Sequence, residues 1–171
     1  IGSVAQNLLN ITDTAFLGRV GPIALGAGAI GGVFYLVAAM LAWGFGISTQ
    51  IIIARRRGEQ SYSEIGRTFQ HGFYFQIPLA LALFSLMQFF SSDLMKLIIR
   101  SDEVYHYTQQ FIKYRSYGIF FASVNMLFNG FYIGIARTKV ITWATLIMAL
   151  VNIVLDYGLI FGNLGLPEMG I

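Results

Sequence analysis

Eight residues of this 171-residue sequence are acidic, and two of them, Asp13 and Asp156, stand inside runs that are otherwise apolar. A carboxylate in such surroundings is costly to hold and is kept for what it does: take up a proton, bind a cation, or pair across to a neighbour. The other six (Glu59, Glu64, Asp93, Asp102, Glu103 and Glu168) fall in polar segments or at helix ends. The two apolar-embedded acids have company. Gln6, Asn10 and Asp13 are spaced i, i+4, i+7 and so share one helical face. Asn152 and Asp156 are spaced i, i+4, with Thr145 further back on the same side, and Asn125, Asn129 and Tyr132 form a third one-sided stripe.

Three polar faces that cannot look at lipid are most economically pointed into one shared, water-accessible cavity. Hydrogen-bond glue between helices explains a single stripe; three stripes holding two acids argue for a pathway. Two carboxylates facing one low-dielectric space repel each other and are poorly solvated, so at least one pKa should rise toward neutrality and carry a proton. The same oxygens, with an Asn carbonyl, suit Na⁺ instead. With no Cys, and with His71 and His106 far apart, Na⁺ at Asp13, Asn152 and Asp156 is the only metal the pattern suggests. No cofactor is expected. An intramembrane aspartyl protease would need Tyr-Asp and Gly-x-Gly-Asp, whereas Asp13 follows Thr12 and Asp156 follows Leu155. The chain is not expected to be an enzyme.

The elements that must position these residues are long and apolar. Hydrophobic residues make up 56% of the chain and charged ones 11%, less than half the share of an ordinary soluble domain, about a quarter. A bilayer-spanning helix needs about 20 mostly apolar residues. Five spans qualify: 1–17, 23–54, 69–90, 111–136 and 140–161. Gly44 and Gly46 are read as bend points of the second span, and Pro78 lies within the third. The stretch 91–103 mixes Asp93, Lys96 and Arg100 with leucines and isoleucines and reads as an interfacial turn or two. Arg55, Arg56, Arg57, Arg67, Arg137 and Lys139 outnumber Arg19, Lys96 and Arg100 in the alternate loops, which places the Arg-rich loops in the cytoplasm. The chain opens inside an apolar helix and stops in a Gly-Pro loop, so a fragment of a longer protein is expected.

Three other signals carry little. Gly26, Gly28 and Gly31 match G-x-G-x-x-G, yet they open an apolar helix with no strand before them; small-residue helix packing accounts for them better than a dinucleotide site. The sequon Asn10-Ile11-Thr12 lies inside an apolar span and should be silent. The net charge of +3 gathers in membrane-flanking loops, and no nucleic-acid partner is expected.

The chain resembles the multidrug and toxic compound extrusion (MATE) family. The resemblance rests on an ordered set of stretches: Asn10 to Gly18, then Gly21 and Ala24-Leu25; Gly46 to Gly58; Gly134 to Lys139; and Asn152 to Gly162, followed by Gly165, Pro167 and Gly170. It implies an all-α integral membrane protein, a twelve-helix, two-lobe antiporter of which five helices of the first lobe are visible here. It implies cation-coupled efflux, driven by H⁺ or Na⁺, of amphipathic and often cationic drugs by alternating access. Asp13, Asn152 and Asp156, with Asn10 beside them, would form the cation-coupling cluster, and Gln6, Asn125, Asn129 and Tyr132 would line the substrate cavity. Asn-x-x-x-Asp in the fifth span is similar to the subgroup resembling DNA-damage-inducible protein F, where proton coupling is usual. Val140 departs from the family, which often has Pro shortly after the Thr-Lys pair. A monomeric, multi-pass protein of the bacterial cytoplasmic (inner) membrane is implied. The competing reading, a lipid-linked oligosaccharide flippase of the same superfamily, would favour a cation-lined cavity for pyrophosphate. Here only Lys113 and Arg115 approach the apolar depth.

Overall fold

The computed structural model describes residue 11 and residues 21–161; of Asp156 and of residues 159–161 only the backbone is described. The described chain forms five helices: α1 (Pro22–Gly58), α2 (Tyr62–Ile98), α3 (Asp102–Arg115), α4 (Gly118–Gly134) and α5 (Thr138–Phe161). The first span expected from hydropathy, 1–17, lies outside the described residues except for Ile11.

Local chemistry sets the boundaries. Pro22 occupies the first turn of α1, where its missing N–H costs nothing, after Gly21 at φ 146°. The helix closes on Gln60, which takes a left-handed φ of 56°, while Ser61 N–H donates to the Arg56 carbonyl and Gln60 N–H to that of Arg57. The end of α4 repeats the device. Ala136 has φ 51°, Arg137 N–H donates to the Tyr132 carbonyl and Ala136 N–H to that of Ile133. At the start of α3 the Ser101 hydroxyl accepts from Val104 N–H. Asp102 and Glu103 sit in its first turn and Lys113 and Arg115 in its last, matching the helix dipole at both ends.

Two hydropathy expectations need correction. The span 111–136 is not one helix: α3 and α4 meet at Ser116 and Tyr117. The Ser116 hydroxyl donates to the Lys113 carbonyl (2.9 Å), and Gln88 of α2 donates to both that carbonyl (3.1 Å) and the Ser116 oxygen (2.8 Å). Side chains compete with the helical ladder at this point, which a sliding apolar average does not register. The stretch 91–103 is not a separate interfacial turn either. Ser91 and Met95 are buried on α2, which continues to Ile98, and only residues 99–101 link it to α3. Ser91 donates to Gln109 and Ser92 bonds the Tyr105 hydroxyl, so the polar end of α2 is a packed helix end. The spans 23–54 and 69–90 fall inside α1 and α2, each of 37 residues. Such helices are about 55 Å long, against a bilayer core of about 30 Å, so their charged ends project beyond it.

Neighbouring pairs fix the directions. Gly46 lies against Met126 and Gly130, and Gly134 lies against Gln50 and Ile53, so α1 and α4 run parallel. Gln76 reaches Ala42 and Ser123, and Gly72 lies against Thr49 and Leu127, so α2 is antiparallel to both. The links after α1 and α4, with their arginines, are therefore at one end and 99–101 at the other. Among the described helices α5 packs only on α4.

The core is built from small residues. Ala38, Ala39 and Ala42 of α1 pack with Leu83, Met87 and Met95 of α2, Ile112 of α3 and Ile119 of α4. Lipid offers no hydrophobic drive for helices to associate, so close van der Waals approach must do it. Of the glycines expected to bend the second span, Gly46 serves close packing. The helix runs unbroken through Gly44 and Gly46, and Gly46 marks the crossing with α4: a Cβ on Gly130 would stand 2.5 Å from the Gly46 carbonyl oxygen. Of the G-x-G-x-x-G glycines, Gly28 and Gly31 are buried in helix packing, whereas Gly26 has open space about it.

Candidate functional site

The close crossing of α1 and α4 leaves a groove beside it. Gly46 and Gly130 form the floor, because neither has a side chain to fill the space. Residues one turn away splay outward and leave a volume of about 350 Å³. Asn125 and Asn129 border it from α4 and Gln50 from α1, among the apolar Met40, Trp43 and Ile47. Asn125 is exposed, whereas Asn129 and Gln50 are half-buried. Among the described residues no Lys, Arg, Asp or Glu borders it. The surface is apolar with three carboxamides, each able to donate and accept, and an indole face open to a cation.

The structure thus brings Asn125 and Asn129 together on one wall. Tyr132, assigned to the same stripe, does not border the groove. It stands on the flank of α4, stacked on Phe128 (centroids 6.4 Å, interplanar angle 23°) and edge-on to Phe131. Gln6, Asn10 and Asp13 lie outside the described residues, as does the side chain of Asp156, whose backbone belongs to α5. Asn152 is on the same helix, half-buried, and its Oδ1 is buried without a hydrogen-bond partner among the described residues. A buried amide oxygen left open in this way is an acceptor waiting for a donor or a cation.

Sequence reasoning passed over two polar positions. Gln50 is the α1 contribution to the groove. Gln76 is only 1% exposed, in the middle of the three-helix core, where its Nε2 donates to the carbonyls of Ser123 (3.2 Å) and Ala42 (3.5 Å). Among the described residues its Oε1 and the Ser123 hydroxyl have no partner. The available signal was a carboxamide inside each of two apolar spans, which a search centred on charged residues does not weigh.

The MatE family model matches residues 1–158. A probable multidrug resistance protein NorM of Burkholderia mallei is 29% identical over 174 residues, covering 99% of this chain and 36% of that protein. A protein of the same description from Agrobacterium fabrum is 26% identical, with 98% and 36% covered. The chain therefore spans about a third of the length of these relatives. Among solved structures, an outward-facing multidrug resistance MATE family transporter of the MOP superfamily superposes with a TM-score of 0.91 at 22% identity, over 99% of this chain and 37% of that one. A MOP superfamily transporter from Pyrococcus furiosus matches with the same score and identity, over 99% and 36%. At that identity the superpositions speak for the fold.

Proposed function

The chain belongs to the MatE family, and on that premise we propose that it is the first-lobe portion of a multidrug efflux antiporter that couples export of amphipathic organic compounds to entry of H⁺ or Na⁺. The observation that carries the proposal is the groove between α1 and α4. Three carboxamides on a largely apolar wall, with the Trp43 ring beside them, suit flat amphipathic molecules bearing a delocalised positive charge. Among the described residues the same wall offers a lipid-linked pyrophosphate no cation to pair with, which speaks against the flippase reading.

In this reading Asn125 and Asn129, with Gln6 from the first span, contact the drug, and Tyr132 supports the wall from its flank. Asp13, Asn10, Asn152 and Asp156 hold the coupling ion, the open Asn152 Oδ1 serving as one ligand or as the acceptor of a carboxyl proton. The protein works as a monomer in the bacterial inner membrane, with drugs and the coupling ion as the partners of export.

The test is export of a fluorescent cationic dye by everted vesicles containing the full-length protein, under imposed pH or Na⁺ gradients. Asp13→Asn and Asp156→Asn should each abolish gradient-driven export while leaving membrane insertion intact, since neutralising a carboxylate at membrane depth relieves desolvation. Near-normal export by both variants would falsify the coupling assignment and leave these acids as packing residues.

A further inference from the structure

A second polar cavity, of about 190 Å³, lies between α2 and α3, away from the groove, and is bordered by Gln88, Ser91, His106, Gln109, Gln110 and Lys113. Several of its groups bond one another: Ser91 donates to Gln109 Oε1, Gln110 Nε2 pairs with His106 Nε2, and Gln88 Nε2 donates to the Lys113 carbonyl and the Ser116 oxygen. Two donors are left over. Among the described residues Gln109 Nε2 is buried with no partner, and the Lys113 ammonium forms no ion pair. No carboxylate among the described residues borders the space. A pocket with spare N–H donors, one cation and no negative charge recognises an oxyanion.

Its depth identifies the kind of oxyanion. Arg55 and Tyr35 stand about 30 Å apart along α1, and Arg67 and Gln88 about the same along α2, which is the thickness of a bilayer core. With Arg55 and Arg67 in one headgroup layer, Tyr35 and Gln88 mark the other. Arg115 belongs to the same level, its guanidinium 4.7 Å from the Tyr35 ring centre. Gln88, on the border of the cavity, thus lies where lipid phosphates lie, and the charged residues begin two positions beyond Ser91, with Asp93 and then Lys96.

We propose that the α2–α3 cavity is a phosphate-binding site at the headgroup layer opposite the Arg-rich loops, with Lys113 and Gln109 as its donors, occupied by the phosphate of an anionic phospholipid or by free phosphate. It is independent of the drug-export reading. The test is native mass spectrometry of the full-length protein in detergent with dioleoyl phosphatidylglycerol, with dioleoylglycerol, which lacks the phosphate, and with inorganic phosphate. Phosphatidylglycerol should be retained over dioleoylglycerol. Lys113→Gln, a change at an exposed side chain that leaves the packing alone, should weaken retention on the order of tenfold, as should Gln109→Leu. Lys96→Gln, at the same end but outside the cavity, should leave it unchanged. Displacement of the lipid by millimolar inorganic phosphate, with phosphate itself retained, would assign the site to the free ion; persistence of the lipid would assign it to the headgroup. Equal retention of the two lipids without binding of phosphate, or equal losses from Lys96→Gln and Lys113→Gln, would overturn the proposal.

Discussion

Glu59 closes the first long helix with its carboxylate between two arginines, accepting from Arg55 Nε at 2.9 Å and Arg56 Nη1 at 3.1 Å. Those bonds, Arg55 first, hold its pKa below the ordinary 4.5. A carboxyl depressed in the folded state stabilises the fold above its ordinary pKa, and the contribution disappears as pH falls through the folded value. The helix end at residues 55–61 should therefore exchange its amides faster in acid than at neutral pH, relative to the rest of α1. Glu59→Gln should flatten that difference, and hydrogen exchange of the reconstituted protein reads both. At this scale the sequence told some things well. Asn125 and Asn129 were legible because helical spacing aligns them on one face. Tyr132 shares that face by periodicity, yet it turns to Phe128, because an aromatic ring finds partners that a spacing rule cannot list. Gln76 was overlooked because its significance depends on being enclosed by three helices, a property of packing.

The helices themselves were read from hydropathy, which finds where a chain must avoid water and not where a helix starts or stops. It located α1, α2 and α5 but missed their polar extensions and the junction at Ser116, where Gln88 enters from another element. It did not anticipate the close approach at Gly46, because that involves a partner that a single segment does not contain. The structure makes that role measurable. A Cβ at Gly130 would meet the Gly46 carbonyl oxygen at 2.5 Å, whereas one at Gly44 would meet nothing within 4 Å. Gly130→Ala should destabilise the protein by about 1–3 kcal/mol through overpacking. Gly44→Ala should be neutral or stabilise by about 0.5–1 kcal/mol, since alanine is the better helix former. Thermal unfolding in detergent, followed by loss of the monodisperse peak, distinguishes the two; equal losses would show that the crossing tolerates a methyl group.

Across the described bundle, α1 and α4 run parallel with α2 antiparallel to both, and the Arg-rich links share one end. The sequence has no Cys, so single cysteines can be introduced without background. Ser61→Cys and Arg137→Cys should react with an impermeant maleimide only in everted vesicles, and Arg100→Cys only in intact cells; labelling of Ser61→Cys and Arg137→Cys from opposite faces would break the arrangement. In the proposed export role the glycine crossing bears on selectivity. With no side chain between their backbones, α1 and α4 have little freedom to slide, and the groove above them is a fixed mould. Differences among molecules lying there must be absorbed by rotamers of Met40, Trp43, Gln50 and Asn129, of which methionine is the most compliant. In that role such a surface would sort molecules by volume and amphipathicity, and promiscuity would come from a stiff floor under soft walls.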